Sequence, residues 1–147
     1  MIEAWFDGAC EPVNPGGTMS CGIVVKTAEG KILWQHSQIV KHKEGIESTN
    51  NTAEYAGLWC LLNYLIKNGF TNQITTIRGD SQLVIKQMWG TWKMQGGAYV
   101  PLARKCQELI KEFSNVSGQW VPREQNEEAD KLSKDALEKV GIKARRR

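Results

Sequence analysis

The sequence predicts an α/β protein built on one mixed, five-stranded sheet flanked by helices. Three observations carry that expectation. The first forty or so residues read as strands separated by turn signals. After Asn51 the apolar positions switch to helical spacing, and two later β-branched or aromatic segments are separated by helical ones. Three antiparallel strands followed by strands that alternate with helices make a mixed sheet covered by helices, in the order β-β-β-α-β-α-α-β-α.

The first strand is expected to begin almost at Met1, in IEAWFDGA, which is rich in apolar and aromatic residues. Asn14 to Gly17, NPGG, is a turn. CGIVVKTA and KILWQHSQIV follow as strands joined across Glu29-Gly30, which makes the opening third an antiparallel meander. Asn51 to Lys67 carries Ala53, Ala56, Leu58, Leu61, Leu62 and Leu65 at helical spacing and stops at Asn68-Gly69. ITTIRG is a short β-branched strand. SQLVIKQMWG and VPLARKCQELIKEF read as two helices, VSGQWVP as the final strand, and about Asn126 to Val140 as the last helix.

A chain of 147 residues, 41% hydrophobic and 24% charged, fits one soluble globular domain. No apolar run approaches the roughly 20 residues that span a bilayer. Glu3 and Asp7 interrupt the only early apolar stretch, so no signal peptide is read and a cytoplasmic location is expected. Cys10, Cys21, Cys60 and Cys106 form no CxxC pair and read as reduced, mostly buried thiols. The net charge of +3 is uneven: without Lys143, Arg145, Arg146 and Arg147 the chain stands at −1. A domain over residues 1–142 is therefore expected to carry a basic tail over 143–147. That tail suits a polyanionic partner through phosphate contacts, or serves as a solubilising terminus. Nothing marks an obligate protein partner, and a monomer is expected.

Four acidic residues stand in contexts that a nuclease metal site would use: Asp7 in WFDGAC, Glu54 in STNNTAEY, Asp80 in IRGDSQLV and Asp130 in QNEEADKLS. Carboxylates are hard oxygen ligands for divalent magnesium or manganese. Each residue also has a structural explanation. Asp7 could form a turn before Gly8. Glu54 could complete a capping box with Asn51 as N-cap. Asp80 could cap the helix after its strand. Asp130 could simply favour the N-terminal end of the last helix dipole. Thr49, Asn50, Asn51 and Thr52 could cap a helix or bind nucleic acid, and Gln82 could offer an amide. Trp92 and Lys93 could stack on sugars and contact a phosphate, or belong with Trp89 to the core.

Together, FDGAC, TNNTAEY, GDSQLV and NEEADKLS resemble, in order, the four acidic motifs of the type 1 ribonucleases H, over Met1 to about Val140. The resemblance implies the RNase H-like fold and cleavage of the RNA strand of RNA–DNA hybrids to 5′-phosphate and 3′-hydroxyl ends. It implies Asp7, Glu54, Asp80 and Asp130 as catalytic ligands of two Mg²⁺ ions, or of Mn²⁺. Asp7 would bridge both ions, Asp130 would serve the one that activates water, and Glu54 and Asp80 the one at the leaving oxygen. It further implies hybrid contacts at Asn14, Asn50, Asn51 and Gln82, and a phosphate contact at Thr49. Reading 2′-hydroxyls and backbone, these would give little sequence specificity.

Two departures from the family pattern matter. Many members carry a histidine in the loop before the fourth acid. Here Arg123-Glu124-Gln125-Asn126 has none, and His36 and His42 lie upstream. The basic helical handle of some members is replaced by MWGTWKMQGGAYV. Two other readings stay in view: a non-catalytic nucleic-acid-binding module, and a nuclease acting on double-stranded RNA or a junction.

Overall fold

The computed structural model describes residues 1–41 and 43–145. The elements follow the predicted order: β1 (Ile2–Glu11), β2 (Thr18–Thr27), β3 (Ile32–Val40), α1 (Asn50–Lys67), β4 (Thr75–Gly79), α2 (Gln82–Trp89), α3 (Val100–Ile110), β5 (Val116–Trp120) and α4 (Glu127–Lys139). The strands lie in the order β3-β2-β1-β4-β5. β1, β2 and β3 pair antiparallel, whereas β4 joins β1, and β5 joins β4, in parallel.

Alternation along the strands assigns the two faces. Gly8 and its cross-strand partner Cys21 meet α1, while the adjacent Gly22 lies under α4. A side chain at Gly8 would overlap the Ala53–Glu54 peptide, and one at Gly22 would overlap the Ala129 carbonyl. These two glycines let helices approach the sheet backbone directly from opposite sides.

The main core fills the α1 face. Ala4, Phe6, Ile23, Val25 and Ile77 from the sheet meet Leu58, Leu61, Leu62 and Leu65 of α1. Truncating one such leucine to alanine costs about 2–5 kcal/mol. A buried polar chain joins three helical segments. Tyr55 donates to Gln87 Oε1 at 2.6 Å, Gln87 Nε2 donates to the Tyr99 hydroxyl at 3.1 Å, and that hydroxyl donates to the Gln95 carbonyl at 2.9 Å. The network fixes the residue next to Glu54.

One departure from expectation concerns β1. The strand runs two residues beyond the expected IEAWFDGA segment, to Glu11, paired with β2 along its whole length, so Asp7 forms no turn. Its pairing with β4 stops at Trp5↔Arg78. Beyond that point no strand among the described residues pairs with this edge of β1, and the sheet is split there. Four cysteines are free thiols, with Cys60 the least buried, as the sequence leads one to expect.

Candidate active site

The split between β1 and β4 collects the acids. Asp7 comes from the middle of β1, Glu54 from the second turn of α1, and Asp80 from the residue after β4. One oxygen from each of these three lies within 4.8 Å of the others. Asp7 and Glu54 are only 2% and 3% exposed, and Asp80 is partly exposed. The Gly8 N–H donates to Glu54 Oε1, an interaction that the direct approach of α1 to Gly8 makes possible.

Hydroxyl residues stand at the helix N-caps beside these carboxylates. Thr49, not Asn51, is the N-cap of α1: its hydroxyl accepts from the Thr52 N–H at 3.0 Å. Glu54 therefore lies beyond N3, and no capping box forms. Ser81, not Asp80, caps α2, accepting from the Val84 N–H at 3.2 Å. The N-cap positions of both helices are thus taken by hydroxyl side chains.

Burial, the Asp80 charge and a hydrogen bond with Asp130 push the Asp7 carboxyl well above its ordinary range. Burial followed by the charges of Asp7 and Asp80 does the same to Glu54, against a smaller lowering by the Gly8 N–H. Three carboxylates this close repel one another, and a bound divalent cation relieves the repulsion. The donor set is all hard oxygen, which fits a hard divalent cation in preference to a softer metal.

Asp130 stands beside Asp7 but outside the 4.8 Å set. Its Oδ2 accepts from Lys134 Nζ at 2.8 Å, one helical turn on. Ser133, between them in sequence, donates to the Asp130 carbonyl at 2.7 Å and lies 3.4 Å from Asp7 Oδ2. Buried Asn126 donates from Nδ2 to the Phe6 carbonyl at 2.9 Å, tying the start of α4 to β1 beside Asp7. Sequence reasoning did not find Ser133, Lys134 or Asn126. Their spacing around Asp130 was the available signal.

The remaining candidates fall in three places. Asn14, Thr49, Asn50 and Asn51 gather at the N-terminus of α1, where Asn14 Oδ1 accepts from the Asn50 N–H at 3.0 Å. Gln82 is exposed as the first residue of α2, two positions after Asp80. Trp92 and Lys93 follow α2; Trp92 is 45% exposed with Lys86 Nζ 4.8 Å from its ring centroid. Trp89 instead packs its ring over Gly118 of β5. The loop before Asp130 is a single 3₁₀ turn, Arg123–Gln125. His36 stacks on Trp34 in β3, two strands from β1, and His42 lies outside the described residues. No helix among the described residues is long and apolar enough to cross a membrane.

A five-stranded mixed sheet with three acids at the β1–β4 split defines an α/β protein of the RNase H-like fold. Residues 5–136 match the reverse transcriptase-like family, and the chain belongs to it, in the type 1 ribonuclease H branch. RNase H1 from Halobacterium salinarum superposes with a TM-score of 0.82 at 34% identity, covering 94% of this chain and 98% of that one. LC11-RNase H1, solved in complex with an RNA/DNA hybrid, superposes with a TM-score of 0.84 at 29% identity, covering 95% and 99%. A bifunctional protein of Mycobacterium tuberculosis is 37% identical over 127 residues, 85% of this chain. The chain spans 32% of that protein's length.

Proposed function

We propose that this chain is a metal-dependent endoribonuclease that hydrolyses the RNA strand of RNA–DNA hybrids, leaving 5′-phosphate and 3′-hydroxyl ends. The observation that carries the reading is the convergence of Asp7, Glu54 and Asp80 within 4.8 Å at the sheet split. Asp7, Glu54, Asp80 and Asp130 would hold Mg²⁺ or Mn²⁺ and form the catalytic set. Bound there, two such ions supply the positive charge that an anionic phosphodiester needs at both its entering and leaving oxygens.

The protein's own groups do the rest. Gly8 N–H and Ser133 orient Glu54 and Asp7, so the carboxylates need little rearrangement on binding. Asp130, paired with Lys134, would be the fourth carboxylate to hold the metal. Asn14, Asn50 and Asn51, with Thr49 at a phosphate, would receive the hybrid at the α1 N-terminus. There, exposed amides suit 2′-hydroxyl and base-edge contacts. Gln82 would add an amide beside Asp80, and Trp92 with Lys93 would face the other strand. Clustered negative charge gains nothing for a module that only binds a polyanion, which favours catalysis over binding alone.

Residues 1–142 form the proposed catalytic domain, acting as a monomer in the cytoplasm, where the four free thiols stay reduced. The test is a substrate panel: end-labelled RNA as hybrid, RNA duplex and single strand, each with Mg²⁺, Mn²⁺ or chelator. Hybrid cleavage that requires metal is expected. Preference for RNA duplex would change the substrate, and tight hybrid binding without cleavage in either metal would leave a binding module.

A further inference from the structure

The chain beyond α4 returns to the end of β1. Arg145 donates to Glu11 Oε2 from its backbone N at 3.0 Å and from Nε at 2.8 Å, and to the Cys10 carbonyl from Nη2 at 2.9 Å. The Glu11 side chain is 0% exposed, although that of Arg145 is 49% exposed. A carboxylate taken wholly out of water needs a cation and hydrogen bonds. The guanidinium fork can serve the carboxylate and the neighbouring carbonyl together, which a lysine ammonium matches poorly.

The clasp sits where β1 gives way to residues 12–17. That loop is tied forward to α1: Gly16 N–H donates to the Ser48 carbonyl at 2.8 Å, and Asn14 Oδ1 accepts from the Asn50 N–H at 3.0 Å. Cys10 Sγ donates to the Val13 carbonyl at 3.3 Å within the same turn. One end of the loop is thus held by Arg145, and the other carries Asn14 to the Thr49–Asn51 corner.

We propose that Arg145 is a positioning residue for substrate binding: through Glu11 and the Cys10 carbonyl it holds the loop that presents Asn14 beside Asn50. The proposal rests on the ribonuclease H reading. It assigns at least this cation of the basic tail to an internal carboxylate and not to a phosphate.

Arg145→Ala is expected to raise KM for the hybrid about fivefold, the factor carried by one substrate hydrogen bond, with kcat within about twofold. Arg145→Lys should recover part of the loss. Glu11→Gln should match Arg145→Ala, and the double variant should be no worse than either alone, because both break one pair. Hybrid affinity, followed by fluorescence anisotropy in chelator with Asp7→Asn as background, separates positioning from direct contact. Affinity should fall while its dependence on log salt keeps its slope. A slope reduced by about one in magnitude identifies a phosphate contact and overturns the proposal. An unchanged KM with only a lowered Tm overturns it too. If the unaltered chain cleaves no hybrid, the ribonuclease reading fails on its own, and the affinity and salt slope still decide the role of Arg145.

Discussion

Replacing Asp7 with Asn should make the metal-free protein more stable while removing its response to metal. Two ionised carboxylates 4.8 Å apart repel by about 3 kcal/mol at an effective dielectric constant near 20, and Asp7 faces both Glu54 and Asp80 at that range. Protons retained by the cluster relieve part of this, because Asp7 and Glu54 both have raised pKa values. The expected net gain for Asp7→Asn in chelator at neutral pH is about 1–2 kcal/mol, or about 3–6 °C in Tm. Acids with raised folded-state pKa values favour folding fully below the ordinary carboxylate range, and that contribution is lost as pH rises through the raised values. Metal-free melts of the unaltered protein should therefore lose this contribution as pH rises from mildly acid to neutral, and Asp7→Asn should flatten the trend. Metal reverses the ranking. At about one hundred times Kd, Mg²⁺ stabilises the unaltered protein by about 2.7 kcal/mol, and the variant gains little. Thermal melts of both proteins in chelator and in Mg²⁺ measure all of this. A variant that melts lower in chelator, or shifts equally with Mg²⁺, would refute the electrostatic account.

Other substitutions probe the supports of the site. Gly8→Ala forces a side chain into the Ala53–Glu54 peptide and should cost about 3 kcal/mol or more in urea denaturation; a neutral result would deny the direct helix–sheet approach. Ser81→Ala removes the α2 cap beside Asp80 and should cost about 1 kcal/mol by the same assay. Lys134→Ala releases Asp130 from its ion pair and should lower the Mg²⁺ concentration for half-maximal cleavage. A raised requirement would mean that Lys134 helps to hold Asp130 in its working position.

Much of the fold was legible because its elements obey simple periodicities. The Leu58–Leu65 stripe announced α1, and the turn residues around Asn14–Gly17 and Glu29–Gly30 separated the first three strands. The acids were legible as motifs, but their competing structural roles were not resolvable by spacing. Asn51 and Thr49 are both good caps, and Asp80 and Ser81 are adjacent good caps. Only the backbone decides which residue takes each role, and here the hydroxyls do. The last two residues of β1, Cys10 and Glu11, escaped the pattern, because they lead into the Asn14–Gly17 turn and only the pairing with Met19 and Thr18 of β2 makes them strand. The Arg145–Glu11 pair joins residues 134 positions apart and leaves no local signature, so a tail that reads as a solvated charge run contains an internal ion pair.

In the proposed function, the carboxylates at the β1–β4 split act through divalent metal on an RNA–DNA hybrid. The most direct test compares hybrid cleavage by the unaltered protein and by Asp7→Asn, each across a titration from chelator into Mg²⁺ and Mn²⁺. Expected are no cleavage in chelator, cleavage by the unaltered protein that rises with metal, and a loss of at least about a thousandfold in the variant. Cleavage that persists in chelator, or that survives in Asp7→Asn, contradicts the proposed function.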